Sequence, residues 1–364
     1  MTIFFVLAAL LLLGIMVMVH ECGHFFAARL TGIPVKGFGI GFGPKLLSWK
    51  SKKTETEYVL RLIPAGGYCS FYGEDEVDGK GKNDPRNLNN AAVWKRLLTI
   101  LMGPVMNFVL AFVVAVGVFM SIGETVDVRY GYVHIESVVD GGAAQEAGIL
   151  PGDKIVMIND QDMMGLADDG EQFKALSMID SFREGDEPLK MTVERNGTLT
   201  DVFLAPRLDL AENRMMVGIS CRIDLEEIKE DCSLPRAVKL SADYCVTTGG
   251  LILDALKGLV TTGKGLDETG GPVRIIETIT TATRDYGFLA YLELLIAISV
   301  NLGLVNLLPI PGLDGSRAVF LLIEGIFRKP VPRNVEAYIH LAGYMVLFGI
   351  LIFFTYRDIL HLFR

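Results

Sequence analysis

Four long runs without a charged side chain constrain this 364-residue chain more than any other feature. They cover residues 1–19, 97–122, 294–313 and 337–356, the last interrupted only by His340. A helix crossing a hydrocarbon core of about 30 Å needs roughly 20 apolar residues, so each run is long enough to span. An apolar content of 51% exceeds that of an ordinary soluble enzyme and agrees with that reading. The first run has no basic residue ahead of it and no small-residue cleavage site behind it, so it reads as a retained helix rather than a secretory leader. It continues helically through Leu30 until Gly32 and Pro34 stop it. The expected fold is a polytopic α-helical membrane protein with four transmembrane helices.

Basic residues in loops are retained on the cytoplasmic side. Lys50, Lys52, Lys53, Lys95 and Arg96 precede the second run, and Arg317, Arg328, Lys329 and Arg333 precede the fourth. Both loops are therefore expected in the cytoplasm, whereas 123–293, where acidic residues outnumber basic ones, suits the outer side, as do both termini. The segments expected are a first helix at 1–30, a cytoplasmic loop at 31–95, a second helix at 96–122, an extracytoplasmic domain at 127–219, a connector at 220–288, a third helix at 289–315, a second cytoplasmic loop at 316–336 and a fourth helix at 337–356.

In the first loop, glycine alternates with apolar residues over 37–43, and a second run, 58–64, ends at Ala65-Gly66-Gly67. With a polar turn region at 50–57 between them, the two read as a β-hairpin over 37–67. It is either a plain structural hairpin or a strand edge near the active site that holds unwound substrate by strand addition. Residues 127–219 read as a mixed α+β domain. Strands fall at 132–135, 154–159, 189–195 and 198–204, a short helix at 143–147, and a tight turn at Asn196-Gly197. The run Ala147-Gly148-Ile149-Leu150-Pro151-Gly152-Asp153-Lys154-Ile155, followed by Ile158-Asn159, resembles the PDZ signature. Its groove would bind peptide ends, or the domain would act as a steric filter. Residues 235–262 are amphipathic and suit a helix at the membrane surface or a helical linker. No nucleic-acid-binding stripe appears. Cys22, Cys69, Cys221, Cys232 and Cys245 form no metal-pair spacing, and either free thiols or one bridge among the last three is compatible with the pattern.

Polar chemistry begins inside the first run, at His20-Glu21-Cys22-Gly23-His24. On a helix, positions i and i+4 share a face, so both imidazoles reach one ion while Glu21 sits beside its open position. At 1.5 Å per residue, His20 lies roughly 15 Å inside a helix ending at Leu30. Ionisable groups at that depth cost several kcal/mol unless paired or bound to metal, which makes the cluster a functional site by default. Catalytic zinc takes three protein ligands, and the third donor expected is Asp314. It follows Pro309-Ile310-Pro311-Gly312-Leu313, where two prolines forbid a regular helix. Zinc so held lowers the pKa of water and polarises a carbonyl, with Glu21 moving the proton, which is the chemistry of amide hydrolysis. Asn301 and Asn306 lie on the approach to Asp314, and Asn107 follows Gly103-Pro104. These amides suit hydrogen bonds to substrate backbone or around the metal, or plain interhelical packing. A catalytically silent scaffold that binds partners through the PDZ-like domain would not need an intact His20, Glu21, His24 and Asp314. An ion transporter would need more ionisable residues in the spans than His340.

Together, His20-Glu21-Cys22-Gly23-His24, Gly103-Pro104-Val105-Met106-Asn107 and Asn306-Leu307-Leu308-Pro309-Ile310-Pro311-Gly312-Leu313-Asp314-Gly315 resemble the site-2 protease family of intramembrane zinc metalloproteases, of the regulator-of-sigma-E-protease type. The resemblance implies Zn2+ on His20, His24 and Asp314, Glu21 as general base, and substrate handling by Asn301, Asn306 and Pro311, with Asn107 as a further candidate. It implies that the hairpin is membrane-associated and that the protein lies in a bacterial plasma membrane with its active site towards the cytoplasm. The implied partners are the lipid bilayer and, as substrates, single-span membrane proteins such as anti-sigma factors, or signal-peptide remnants. This chain has room for one PDZ-like domain where some members carry two.

Overall fold

A computed structural model describes residues 2–74, 84–167, 172–183, 185–209, 214–263 and 270–362. The chain forms two compact units, Met1–Ile122 with Cys232–Arg364, and Gly123–Asp231.

The first unit opens with α1 (Thr2–Thr31), which stops where Gly32 takes a φ of 78° ahead of Pro34. Strands β1 (Val35–Lys50) and β2 (Glu57–Phe71) follow, and then α2 (Val93–Ile122). The pairing of β1 with β2 is more elaborate than the expected hairpin, because each strand is bent and used twice. Residues 45–50 pair with 57–61 across the turn, and 35–40 pair antiparallel with 67–71. Residues 37–40 also lie beside 57–60 with both numbers rising together. The 67–71 segment is therefore an outer edge.

The second unit comprises β3 (Glu124–Val138), α3 (Ala143–Glu146), β4 (Lys154–Ile158), β5 (Gln161–Asp162), α4 (Lys174–Ser181), β6 (Leu189–Arg195), β7 (Thr198–Leu204), β8 (Arg207–Asp209), β9 (Arg214–Met216) and β10 (Ile219–Glu230). Its main sheet has the order β10-β3-β4-β6-β7, with β5 beside β4. Alternate residues of these strands, among them Val133, Ile135, Ile155, Met191 and Val193, fill one apolar core. Asn196 and Gly197 both have positive φ, as a two-residue hairpin turn requires. Residues 220–230, expected in the connector, instead belong to β10, which pairs with β3 along its length and leaves its other side as a sheet edge.

The chain re-enters the first unit through α5 (Leu234–Thr262), α6 (Pro272–Leu307), α7 (Asp314–Phe327) and α8 (Arg333–Leu362). Helix α6 is broken at Gly287, where φ is 80°. Among the described residues, four helices are long and apolar enough to cross a membrane, lying within α1, α2, α6 and α8. Two expectations need correction here. The third helix ends at Leu307 rather than 315, because Pro309 and Pro311 supply no backbone donor. The region 316–336, expected to be a loop, is mostly α7. Its buried Gly315, Ala318 and Leu321 recur every third residue, so a helical face lies beneath the charges of Arg317 and Glu324.

In the second unit Asp153, 1% exposed, accepts two hydrogen bonds from Arg195, at 2.7 and 2.6 Å, and one from the Leu150 amide at 2.9 Å. Asp153→Ala is expected to destabilise this unit by about 2 kcal/mol, since charge-assisted bonds are lost while Arg195 keeps access to water. Pulse proteolysis of the full-length protein checks this, and wild-type resistance would contradict it.

Candidate metal centre

Helix α1 carries His20 and His24 on one face, both buried, with their Nε2 atoms 3.1 Å apart. Asp314, the first residue of α7, brings Oδ2 to 3.0 Å from His20 Nε2 and 3.3 Å from His24 Nε2. Ligands at the usual zinc distances of 2.0–2.2 Å stand about 3.3 Å apart on a tetrahedron, so these three atoms outline one face of such a site. Asp314 Oδ2 is moreover buried without a hydrogen-bond partner. The donor set therefore fits zinc. No other group of three or more His, Cys, Asp or Glu side chains is gathered this way among the described residues.

Helix α2 forms the wall behind the imidazoles. Its Thr99, Gly103 and Asn107 stand four residues apart and share a face. The Thr99 carbonyl accepts His24 Nδ1–H at 2.9 Å, which leaves the Nε2 lone pair free for a metal. Gly103 supplies the space, since a Cβ there would lie 2.3 Å from His24 Nε2 and 3.0 Å from His20 Cε1. Asn107, fully buried, places Nδ2 3.2 Å from His20 Nδ1.

Glu21 projects towards the outer edge of the bent sheet, and its carboxylate accepts the Cys69 backbone N–H. The approach is close enough that a Cβ on Gly67 would lie 3.2 Å from Glu21 Cγ. Burial, and next the Glu21 carboxylate, push the Cys69 thiol up. All five cysteines are free.

Asp314 is delivered by the irregular segment after α6. Leu308 is extended, the Ile310 and Leu313 amides close short turns at 2.7 and 3.0 Å, and Gly312 takes a φ of 100°, strained for any other residue. In the sequence His340 is visible only as an interruption of the fourth run. The structure buries it against this segment, with Nδ1 accepting the Gly312 N–H at 3.1 Å. Helix α7 is pinned at both ends, by Arg317 to Glu74 and by Arg96 to Glu324, the latter pair bidentate at 3.0 and 2.5 Å. Arg96 had been counted only as a cytoplasmic charge, yet it is 4% exposed. Burial at a span end was the signal, and composition does not report it. Asn301 is exposed on α6, Asn306 and Pro311 are half-buried, and neither Asn side-chain amide has a hydrogen-bond partner among the described residues. Asn107 is fully buried and faces His20.

The sequence profile of Peptidase family M50 matches residues 8–350. The chain is 33% identical over 365 residues to a Synechocystis protein provisionally named a zinc metalloprotease, covering 100% of this chain and 96% of the relative. It is 32% identical over 362 residues to a similarly named protein of Clostridium acetobutylicum, covering 99% of each. It is also 29% identical over 436 residues to the regulator of sigma-W protease RasP of Bacillus subtilis, covering 98% of this chain and 99% of the relative.

Gly103→Ala is expected to weaken metal binding at least ~10-fold, because the added methyl occupies the place of the His24 ring edge. Chelator competition with purified protein reads this directly, and unchanged affinity would mean that the wall yields freely.

Proposed function

The chain belongs to peptidase family M50, and on that premise we propose that it cuts peptide bonds within the transmembrane segments of single-span membrane proteins or signal-peptide remnants, at His20, Glu21, His24 and Asp314. It is a zinc metalloprotease and a multi-pass membrane protein. The observation that carries the site assignment is the convergence of two imidazoles and one carboxylate, drawn from α1 and α7, at tetrahedral-face spacing.

Zinc bound there supplies Lewis acidity at the scissile carbonyl and makes water acidic enough to deprotonate near neutrality. Glu21 takes the proton of the attacking water and returns it to the leaving nitrogen. His20, His24 and Asp314 hold the ion, and α2 keeps both rings in place. A helical substrate must unwind before its carbonyl is reachable. The outer edge at 67–71 runs beside Glu21, and a substrate segment adding to it as a strand would present its backbone to the general base. Asn301 and Asn306, with side-chain amides unengaged among the described residues, and Pro311 are assigned to substrate handling.

The basic residues flanking α2 and α8 favour a cytoplasmic position for the bent sheet and α7, with Gly123–Asp231 on the outer side. That unit we take as PDZ-like, with its β10 edge either receiving a peptide or forming part of a size filter. The name of the Bacillus relative ties it to a sigma factor. By extension, membrane-bound antagonists of signalling factors are proposed among the substrates here.

The test compares zinc content and cleavage of a single-span substrate in detergent. Glu21→Gln is expected to keep one zinc and lose cleavage by ~100-fold or more. Asp314→Ala should lose zinc and activity together. Wild-type turnover by the first variant, or full zinc and full turnover in the second, would sink the corresponding role.

A further inference from the structure

The polarity around His20 is unlike that around His24. At His24, a backbone carbonyl faces Nδ1, and a carbonyl only accepts, so the ring proton sits on Nδ1 and Nε2 is free. At His20, the Asn107 amide nitrogen faces Nδ1 at 3.2 Å, and an amide nitrogen only donates. With the amide in that sense, His20 must carry its proton on Nε2, directed at the free Nε2 of His24 3.1 Å away. A ring that binds a metal through Nε2 carries its proton on Nδ1 instead, and two donors would then oppose each other. The other end of the same amide, Oδ1, is buried with no partner. Rotation of the amide by 180° exchanges the two ends and places an acceptor where the metal-binding ring needs one.

We infer that Asn107 is a positioning residue for zinc: its Oδ1 accepts Nδ1–H of His20 and so holds that ring in the metal-binding tautomer, the part that the Thr99 carbonyl plays for His24. The inference rests on the zinc assignment above and replaces the substrate role considered for Asn107. Full burial removes this side chain from any substrate in the cleft. Its own backbone is fixed, since Ser299 Oγ of α6 donates to the Asn107 carbonyl at 3.0 Å, so the amide swings on an anchored stem. An amide suits the place better than a carbonyl because it satisfies either tautomer, as donor to the metal-free ring and as acceptor from the metal-bound one.

The experiment measures zinc affinity by chelator competition for the full-length wild type, Asn107→Leu and Asn107→Asp in detergent, with size-exclusion profiles to confirm folding, and then cleavage. Leucine keeps the volume and removes the acceptor; aspartate keeps the acceptor and removes the donor. Asn107→Leu is expected to bind zinc ~10–100-fold more weakly, and Asn107→Asp to bind as tightly as wild type or tighter. Wild-type zinc affinity in Asn107→Leu would overturn the inference, in favour of packing if cleavage persists and of substrate contact if cleavage is lost. Asn107→Asp as weak as the leucine variant would overturn it too. Wild-type binding in the same titration tests the zinc reading itself, so the two fail separately.

Discussion

The three side chains proposed to hold metal are buried or nearly so, and most of the surrounding architecture answers to that cost. A charged or strongly polar group at membrane depth is stable only when each of its hydrogen-bonding atoms is engaged. The stripe on α2 does this for the imidazoles: Thr99 and Asn107 meet the two outward-facing nitrogens, and Gly103 between them lets the rings approach. Because His20 and His24 stand one turn apart on α1, and Thr99 and Asn107 stand two turns apart on one face of α2, one pair of helices in contact sets both rings at once. The face of α1 that would be incompatible with lipid becomes a face that only a metal and α2 can satisfy.

The carboxylate is harder to place, because it comes from a different helix and must arrive with water. The two prolines end α6 and Gly312 turns the chain, so Asp314 starts a new helix whose position is set by groups elsewhere. Arg317 to Glu74 ties the first turn of α7 to the chain just past the sheet edge. Glu74 also accepts the Phe71 amide at 3.1 Å, so one carboxylate fastens both the strand beside Glu21 and the helix that begins with Asp314. Glu21 and Asp314, the proposed general base and third ligand, are thereby referenced to a common point, which matters for chemistry that tolerates displacements of well under 1 Å.

Much of this was legible in the sequence where the signal is local. The apolar runs mark the long helices, the i, i+4 spacing of His20 and His24 marks the face on which Asp314 converges, and the prolines mark the break before Asp314. What escaped was non-local. The strands around 37–71 follow the expected alternation, but the double use of each strand depends on bends at Gly41 and Gly43, both with φ near 86°. Helix α7 was hidden because its charges are paired across the fold, to residues 228 and 243 positions away, and so looked like solvated loop charges. The alternatives for Asn107 could not be separated without knowing which way its face of α2 turns.

The fourth long helix shows how far from the centre its control extends. Most of α8 is exposed and apolar, as suits a helix facing lipid, yet two buried polar side chains, Asp358 and His340, engage the start of α6 and the segment that follows it. Asp358 caps the start of α6, accepting the Gly271 and Arg274 amides at 3.1 and 3.0 Å, a favourable place for a carboxylate against the helix dipole. His340 accepts the Gly312 amide just past the other end. Eighteen residues of helix separate them, about 27 Å at 1.5 Å per residue. Helix α6 is broken at Gly287 and unwound after Leu307, so it has two places at which it could change length or direction. A continuous helix that engages both of its ends fixes the span between them, and with it the point at which Asp314 meets the imidazoles of α1.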